Sequence, residues 1–186
     1  MNTNRRAWLA AGIGVGVAGL IGARPAEAAS AGEINENARQ AIGRLYAAQP
    51  KARQLGERAV GILVFPKIYK AGLIIGGQSG DGVLWVKGKA AGYYNLSAAS
   101  FGLQAGAQSF SYALFFMTES ALNYLQKSDG WAIGSGPSVV VVDKGAAASM
   151  TSTTLTEDVY AFPFGQQGLM AGLGLEGSKI TRIHPS

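Results

Sequence analysis

The chain has 186 residues, 27 glycines, no cysteine and one histidine, with a formal charge of +5. That length suits one domain, large enough to bury roughly 70% of its unfolded surface without a disulfide or a metal. The missing cysteines exclude a disulfide framework, thiolate metal sites, a cysteine nucleophile and a cysteine-linked lipid anchor.

Arg5 and Arg6 precede an apolar stretch from Ala7 to Gly22, followed by Arg24-Pro25-Ala26-Glu27-Ala28. A basic start, a short apolar run and a small-x-small site predict a secretory signal peptide over residues 1–28, cleaved near Ala28. The apolar run is shorter than the ~20 residues that span a bilayer, which disfavours the alternative of a retained anchor. Asn4-Arg5-Arg6-Ala7-Trp8-Leu9 resembles a twin-arginine signal, with ordinary secretory export as the other route. Either route predicts a periplasmic or cell-envelope protein. Removing Arg5, Arg6, Arg24 and Glu27 lowers the formal charge to +3. Mild positive charge suits an anionic surface. Without a long basic run, nucleic acid is not an expected partner.

Residues 29–186 are expected to form the single domain. Ser30-Ala31-Gly32-Glu33 has the spacing of a capping box. Ile34, Ala38, Ala41, Ile42 and Leu45 then recur at helical spacing, predicting a helix that ends near Gln49. Pro50 fits the first turn of a second helix, Lys51 to Arg58. The polar side of this pair carries Arg39, Arg44, Lys51, Arg53 and Arg58. Such a segment either lies on an anionic membrane or packs on a core with a solvated basic face.

From Gly61 the pattern turns to strands. Ile62 to Phe65, Leu73 to Ile75, Val83 to Val86, Tyr112 to Met117, Val139 to Val142 and Val159 to Phe164 are short β-branched or aromatic runs. Ser79-Gly80-Asp81-Gly82 reads as a turn. Glu119 to Gln126 reads as one later helix. Gly72-Leu73-Ile74-Ile75-Gly76, Gly102-Leu103-Gln104-Ala105-Gly106 and Gly168-Leu169-Met170-Ala171-Gly172 repeat a Gly-Leu start with a second glycine four residues on. In a strand those glycines share a face, where they permit a bend or a close backbone approach. The expected fold is therefore α+β. N-terminal helices pack on a strongly curved, glycine-rich antiparallel sheet or partly closed barrel, with glycines at its corners.

Catalytic motifs lack their context. Gly172-Leu173-Gly174-Leu175-Glu176-Gly177 matches G-x-G-x-x-G, but no length remains for the helix and acidic residue of a dinucleotide site. His184 is the sole imidazole, so one chain cannot supply a two-histidine metal site. Asp81, Asp129, Asp143 and Asp158 fall at predicted turns. No cofactor, no metal and no enzymatic activity are expected, an unrecognised carboxylate site being the alternative.

Several stretches carry a specific likeness. They are Gly61-Ile62-Leu63-Val64-Phe65-Pro66-Lys67, Lys70-Ala71-Gly72, Gly92-Tyr93-Tyr94, Ser100 to Gln108, Ser128-Asp129-Gly130-Trp131 and Gly168 to Ala171. In their order and spacing the chain resembles the SYLF domain family from about Gly61 to Ile183, with the preceding helical segment included. The resemblance implies a non-catalytic, exported lipid-binding domain that associates with anionic phospholipid. Eukaryotic relatives bind phosphoinositide-rich membranes, and a yeast branch binds actin. By carry-over the lipid-binding residues are Arg39, Arg44, Lys51, Arg53 and Arg58, continued by Lys67 and Lys70. An envelope adaptor that binds another protein is the alternative.

Overall fold

The computed structural model describes residues 28–72, 75–101, 106–151, 155–168, 175 and 177–186. Residues 1–27, on which the predicted signal peptide (1–28) and the export reading rest, lie outside the described residues.

Helix α1 (Ala31–Ala48) begins with the capping box that the sequence predicts: Ser30 Oγ accepts from Glu33 N, and Glu33 Oε2 accepts from Ser30 N at 2.9 Å. Ala31 N also donates to Ser186 O, tying the start of α1 to the C-terminal residue. Ile34, Ala38, Ala41 and Leu45 form its buried stripe, while Ile42 stays half-buried at the margin. Helix α2 (Pro50–Arg58) follows after a one-residue link and buries Ala52 and Leu55. Alanines at the contact let both helices lie close to the sheet.

Eight strands form that sheet: β1 (Gly61–Gly72), β2 (Ile75–Val86), β3 (Lys89–Phe101), β4 (Gly106–Phe116), β5 (Trp131–Ala132), β6 (Val139–Val141), β7 (Val159–Gly168) and β8 (Lys179–Ile183). Their order is β5-β8-β3-β2-β1-β4-β7-β6, curled into a half-barrel. Helix α3 (Glu119–Lys127) is the predicted later helix, capped by Thr118. A short α4 (Lys144–Ser149) accompanies it, capped by Asp143.

One pairing departs from the antiparallel expectation: β6 runs parallel to β7. Parallel neighbours need a crossover of a dozen or more residues. The segment from Val142 to Asp158, which contains α4, supplies it.

The sheet is covered on both sides. Val64, Val83, Ala113, Phe115, Tyr160 and Phe162 pack under α1 and α2. Leu63, Phe65, Leu84, Leu114 and Phe116 pack on the other face with Ala121, Leu122 and Leu125 of α3. Burial on both faces explains the unbroken apolar run at Leu63-Val64-Phe65.

Two sequence expectations need correction. Ser79-Gly80-Asp81-Gly82 is not a turn but the middle of β2, paired with Tyr94 to Ser97 of β3. Its glycines answer to the neighbouring strand. Strand β1 bulges between Phe65 and Ile68, where Pro66 interrupts the ladder. A Cβ at Gly80 would lie 2.5 Å from Lys67 O, and one at Gly82 would lie 2.5 Å from Val64 O. The true turn is Lys87-Gly88, both at positive φ (52° and 75°), as a two-residue hairpin requires.

The first glycine repeat is also not a single strand. Gly72 closes β1 and faces Gly76 across the β1–β2 ladder, so the pair meets across a hairpin rather than along one chain segment. Gly72 also pairs with Gly106 at the start of β4. Gly168, at the end of β7, pairs with Gln108. The described ends of all three repeats therefore meet at one end of the half-barrel. Residues 73–74, 102–105 and 169–174, and with them most of the repeats and of the G-x-G-x-x-G match, lie outside the described residues.

Candidate functional site

The five predicted basic residues of the helices sit on their outward side. Arg39 and Arg44 are exposed on α1, Arg53 and Arg58 are exposed on α2, and Lys51 is half-buried. Packing the apolar stripe inward forces this placement. Glu33, Glu36 and Glu57 share the two helices. Glu33 is held in the capping box, and Glu36 accepts from Gln40 at 3.0 Å.

Local contacts fix the corner between α1 and α2. The Arg53 guanidinium lies 5.7 Å from the centre of the Tyr46 ring, within cation–π range. Burial pushes the Tyr46 phenol above its ordinary pKa, partly offset by Arg53. The Tyr46 ring occupies the space that a Cβ on residue 56 would need, so a larger residue there would have to displace it.

The seven predicted residues do not gather at one point. Arg44 and Lys67 meet over a polar pocket of about 290 Å³ lined also by Ser109, Ser111, Gly165 and Gln167. The bulge presents Lys67 there, and Ser111 Oγ donates to Pro66 O at 2.7 Å to brace it. Lys67 Nζ also stands 4.9 Å from the Tyr69 ring centre. Lys51 and Arg58 flank a recess of only about 50 Å³ with Leu55, Met150 and Leu155.

Lys70 is in different company. Its register partners are Gln78 on β2 and Gln108 on β4, so it belongs to the face opposite α1 and α2. Gln78 Nε2 donates to Ser178 Oγ at 3.1 Å. Gln108 is buried, and neither side-chain amide atom has a partner among the described residues. The Tyr94 and Tyr112 hydroxyls on the same face are likewise buried without partners. Burial raises both phenol pKa values, strongly for Tyr112, with Arg182 offsetting part of the effect at Tyr94.

Arg39 borders a cleft of about 490 Å³ at the junction of α1, α2, β1 and the end of β2. Ile42, Val60, Ile62 and Trp85 wall it, and Lys87 stands on its rim. Trp85 Nε1 donates to Asn35 Oδ1 at 2.8 Å, which fixes the indole. Sequence reasoning missed Asn35, Trp85 and Lys87. The one signal available was Gly88 directly after the strand run Val83 to Val86, which marks a turn and would have placed Lys87 beside the end of β2.

Chemically these surfaces offer cations, apolar walls and amide groups. His184 is exposed near the C-terminus. Among the described residues no group of three or more His, Asp or Glu converges on a common point. No helix among them is long and apolar enough to cross a membrane.

Comparison with protein families matches residues 97–184 to the Ysc84 family, described as Las17-binding protein actin regulator. The match bears out the SYLF resemblance. It covers the second half of β3, β4 and everything that follows to β8. A comparison with curated proteins finds no match.

Proposed function

We propose that this chain, a member of the SYLF (Ysc84) family by its residues 97–184, binds reversibly to anionic phospholipid surfaces through the outward side of α1 and α2. The observation that carries the reading is the exposure of Arg39, Arg44, Arg53 and Arg58 on one pair of adjacent helices, with Lys51 between them. Each Lys or Arg at an anionic membrane surface contributes about 1 kcal/mol, decaying within a Debye length. Three or four acting together give about 3–4 kcal/mol, which supports recruitment rather than firm anchoring.

The same reading makes the protein exported and non-catalytic, with its signal peptide removed near Ala28 and its place in the periplasm or cell envelope. Anionic phospholipid there takes the role that phosphoinositides have for eukaryotic relatives.

Flotation with phosphatidylcholine vesicles, with and without phosphatidylglycerol, tests the proposal. Binding is expected only with the anionic lipid and should weaken steeply from low to physiological salt. Replacing Arg39, Arg44, Lys51, Arg53 and Arg58 by glutamine should abolish it without unfolding the domain, because exposed charges add little stability. The family description, a Las17-binding actin regulator, favours one second reading: an envelope adaptor that binds a protein. That reading takes over if anionic vesicles are ignored even at low salt.

A further inference from the structure

The cleft beside Arg39 differs from the other basic surfaces because it joins charge to apolar depth. Its volume, about 490 Å³, lies within the range of small-molecule sites. Ile42 is the one member of the helical apolar pattern that α1 does not bury in the core, and it turns up here. Val60 and Ile62 continue the wall from the α2–β1 junction, and the indole of Trp85 closes it. The Asn35 hydrogen bond holds that indole before any ligand arrives.

The charges on the cleft have one sign. Arg39 and Lys87 line it, and no carboxylate does. Lys87 is also the non-glycine residue with positive φ among the described residues. Hairpin turns of this kind favour asparagine, aspartate or glycine. A lysine held in that conformation at the rim of a cleft is local strain of the sort that accompanies function.

We propose that this cleft binds a single alkyl chain ending in a carboxylate, a long-chain fatty acid anion. The chain lies along Ile42, Val60, Ile62 and Trp85, and the carboxylate sits between Arg39 and Lys87. The inference rests on the lipid-binding reading and names the molecular ligand within it. The size of the cleft suits one chain. A methylene takes about the room of a liquid water, roughly 30 Å³, so the cleft holds on the order of 16 carbons. That suffices for the chain of one fatty acid.

The test uses the full chain and 11-bromoundecanoate, kept below its micelle concentration. Bromine quenches an indole only on close approach, so Trp85 reports occupancy. Saturable quenching is expected in the native protein and should vanish in Trp85→Phe, which leaves Trp8 and Trp131 as background. Changing Arg39 and Lys87 together to glutamine should weaken binding at least tenfold. The alcohol 11-bromoundecanol and the matching amine should bind at least tenfold more weakly than the acid. Lys87→Asn, which suits the turn, provides a variant expected to fold and still to lose affinity.

Absence of saturable quenching overturns the proposal, as does equal binding of acid, alcohol and amine. Vesicle flotation run in parallel separates the two ideas. Flotation without quenching leaves the surface reading and removes the cleft. Quenching without flotation keeps the cleft and removes the surface reading.

Discussion

The turn at Lys87-Gly88 yields a prediction with an unusual sign. Replacing Lys87 by asparagine should stabilise the protein. An ordinary L-residue in the left-handed region costs roughly 1–2 kcal/mol, and asparagine recovers much of that because its short amide bonds locally. Nothing else in the surroundings opposes the change. Lys87 is exposed, and a Cβ built on neighbouring Gly88 would meet no atom within 4 Å, so the turn projects into open space. Among the described residues the lysine ammonium group has no hydrogen-bond partner. The net gain should be about 0.5–1 kcal/mol, which in a domain of this size corresponds to about 1–4 °C in melting temperature. Urea denaturation should show a higher midpoint with an unchanged slope, since the surface exposed on unfolding is the same. The same variant should bind fatty acid less well. A lower melting temperature would refute the reasoning: it would mean that the lysine side chain stabilises the fold by more than its backbone costs.

Two further outcomes follow from packing. Gly80→Ala and Gly82→Ala should each destabilise the fold by about 1–3 kcal/mol, because the added methyl meets a carbonyl oxygen of β1. Gly77→Ala, whose methyl would stand 3.6 Å from Ala98 O, should fall within about 0.5 kcal/mol of the native protein in the same denaturation assay. Gln108→Met replaces a buried amide that has no partner among the described residues with an apolar side chain of similar length, and should raise stability by about 1 kcal/mol. A loss of stability on calorimetry would instead show that a bound water or ligand satisfies Gln108.

What the sequence made legible was local. The capping box needs only Ser30 and Glu33, three residues apart, and the structure forms it as read. The buried stripe of α1 follows from one helical period. Where the cause lies on another strand, the reading failed. Gly80 and Gly82 look like turn residues until the bulge at Pro66 is placed beside them. Strand β3 escaped notice because Ala90, Ala91, Ala98 and Ala99 dilute its apolar signal, and its place comes from pairing with β2. The basic residues show the same division. Helical spacing put Arg39, Arg44, Arg53 and Arg58 on the outward side. It could not show that Arg44 and Lys67 share a pocket, that Lys70 belongs to the opposite face, or that Trp85 and Lys87 complete the cleft at Arg39.

The strand order carries a consequence for self-association. A half-barrel does not close, so its outermost strands keep unpaired backbone groups that invite another chain. Here the sheet tapers at both margins. Strand β5 has 2 residues and β6 has 3, against 10 to 13 in the four central strands and β7. A second molecule pairing with β5 or β6 themselves finds a ladder too short to template a continuous sheet. Val140 and Val141 are 38% and 39% exposed on β6, yet that strand offers an incoming chain no more than one short stretch of pairing. The longer run of open edge lies one strand in, on β7: β6 covers it only from Val159 to Ala161, so among the described residues Phe162 to Gly168 pair with β4 alone, and growth by edge addition would start there.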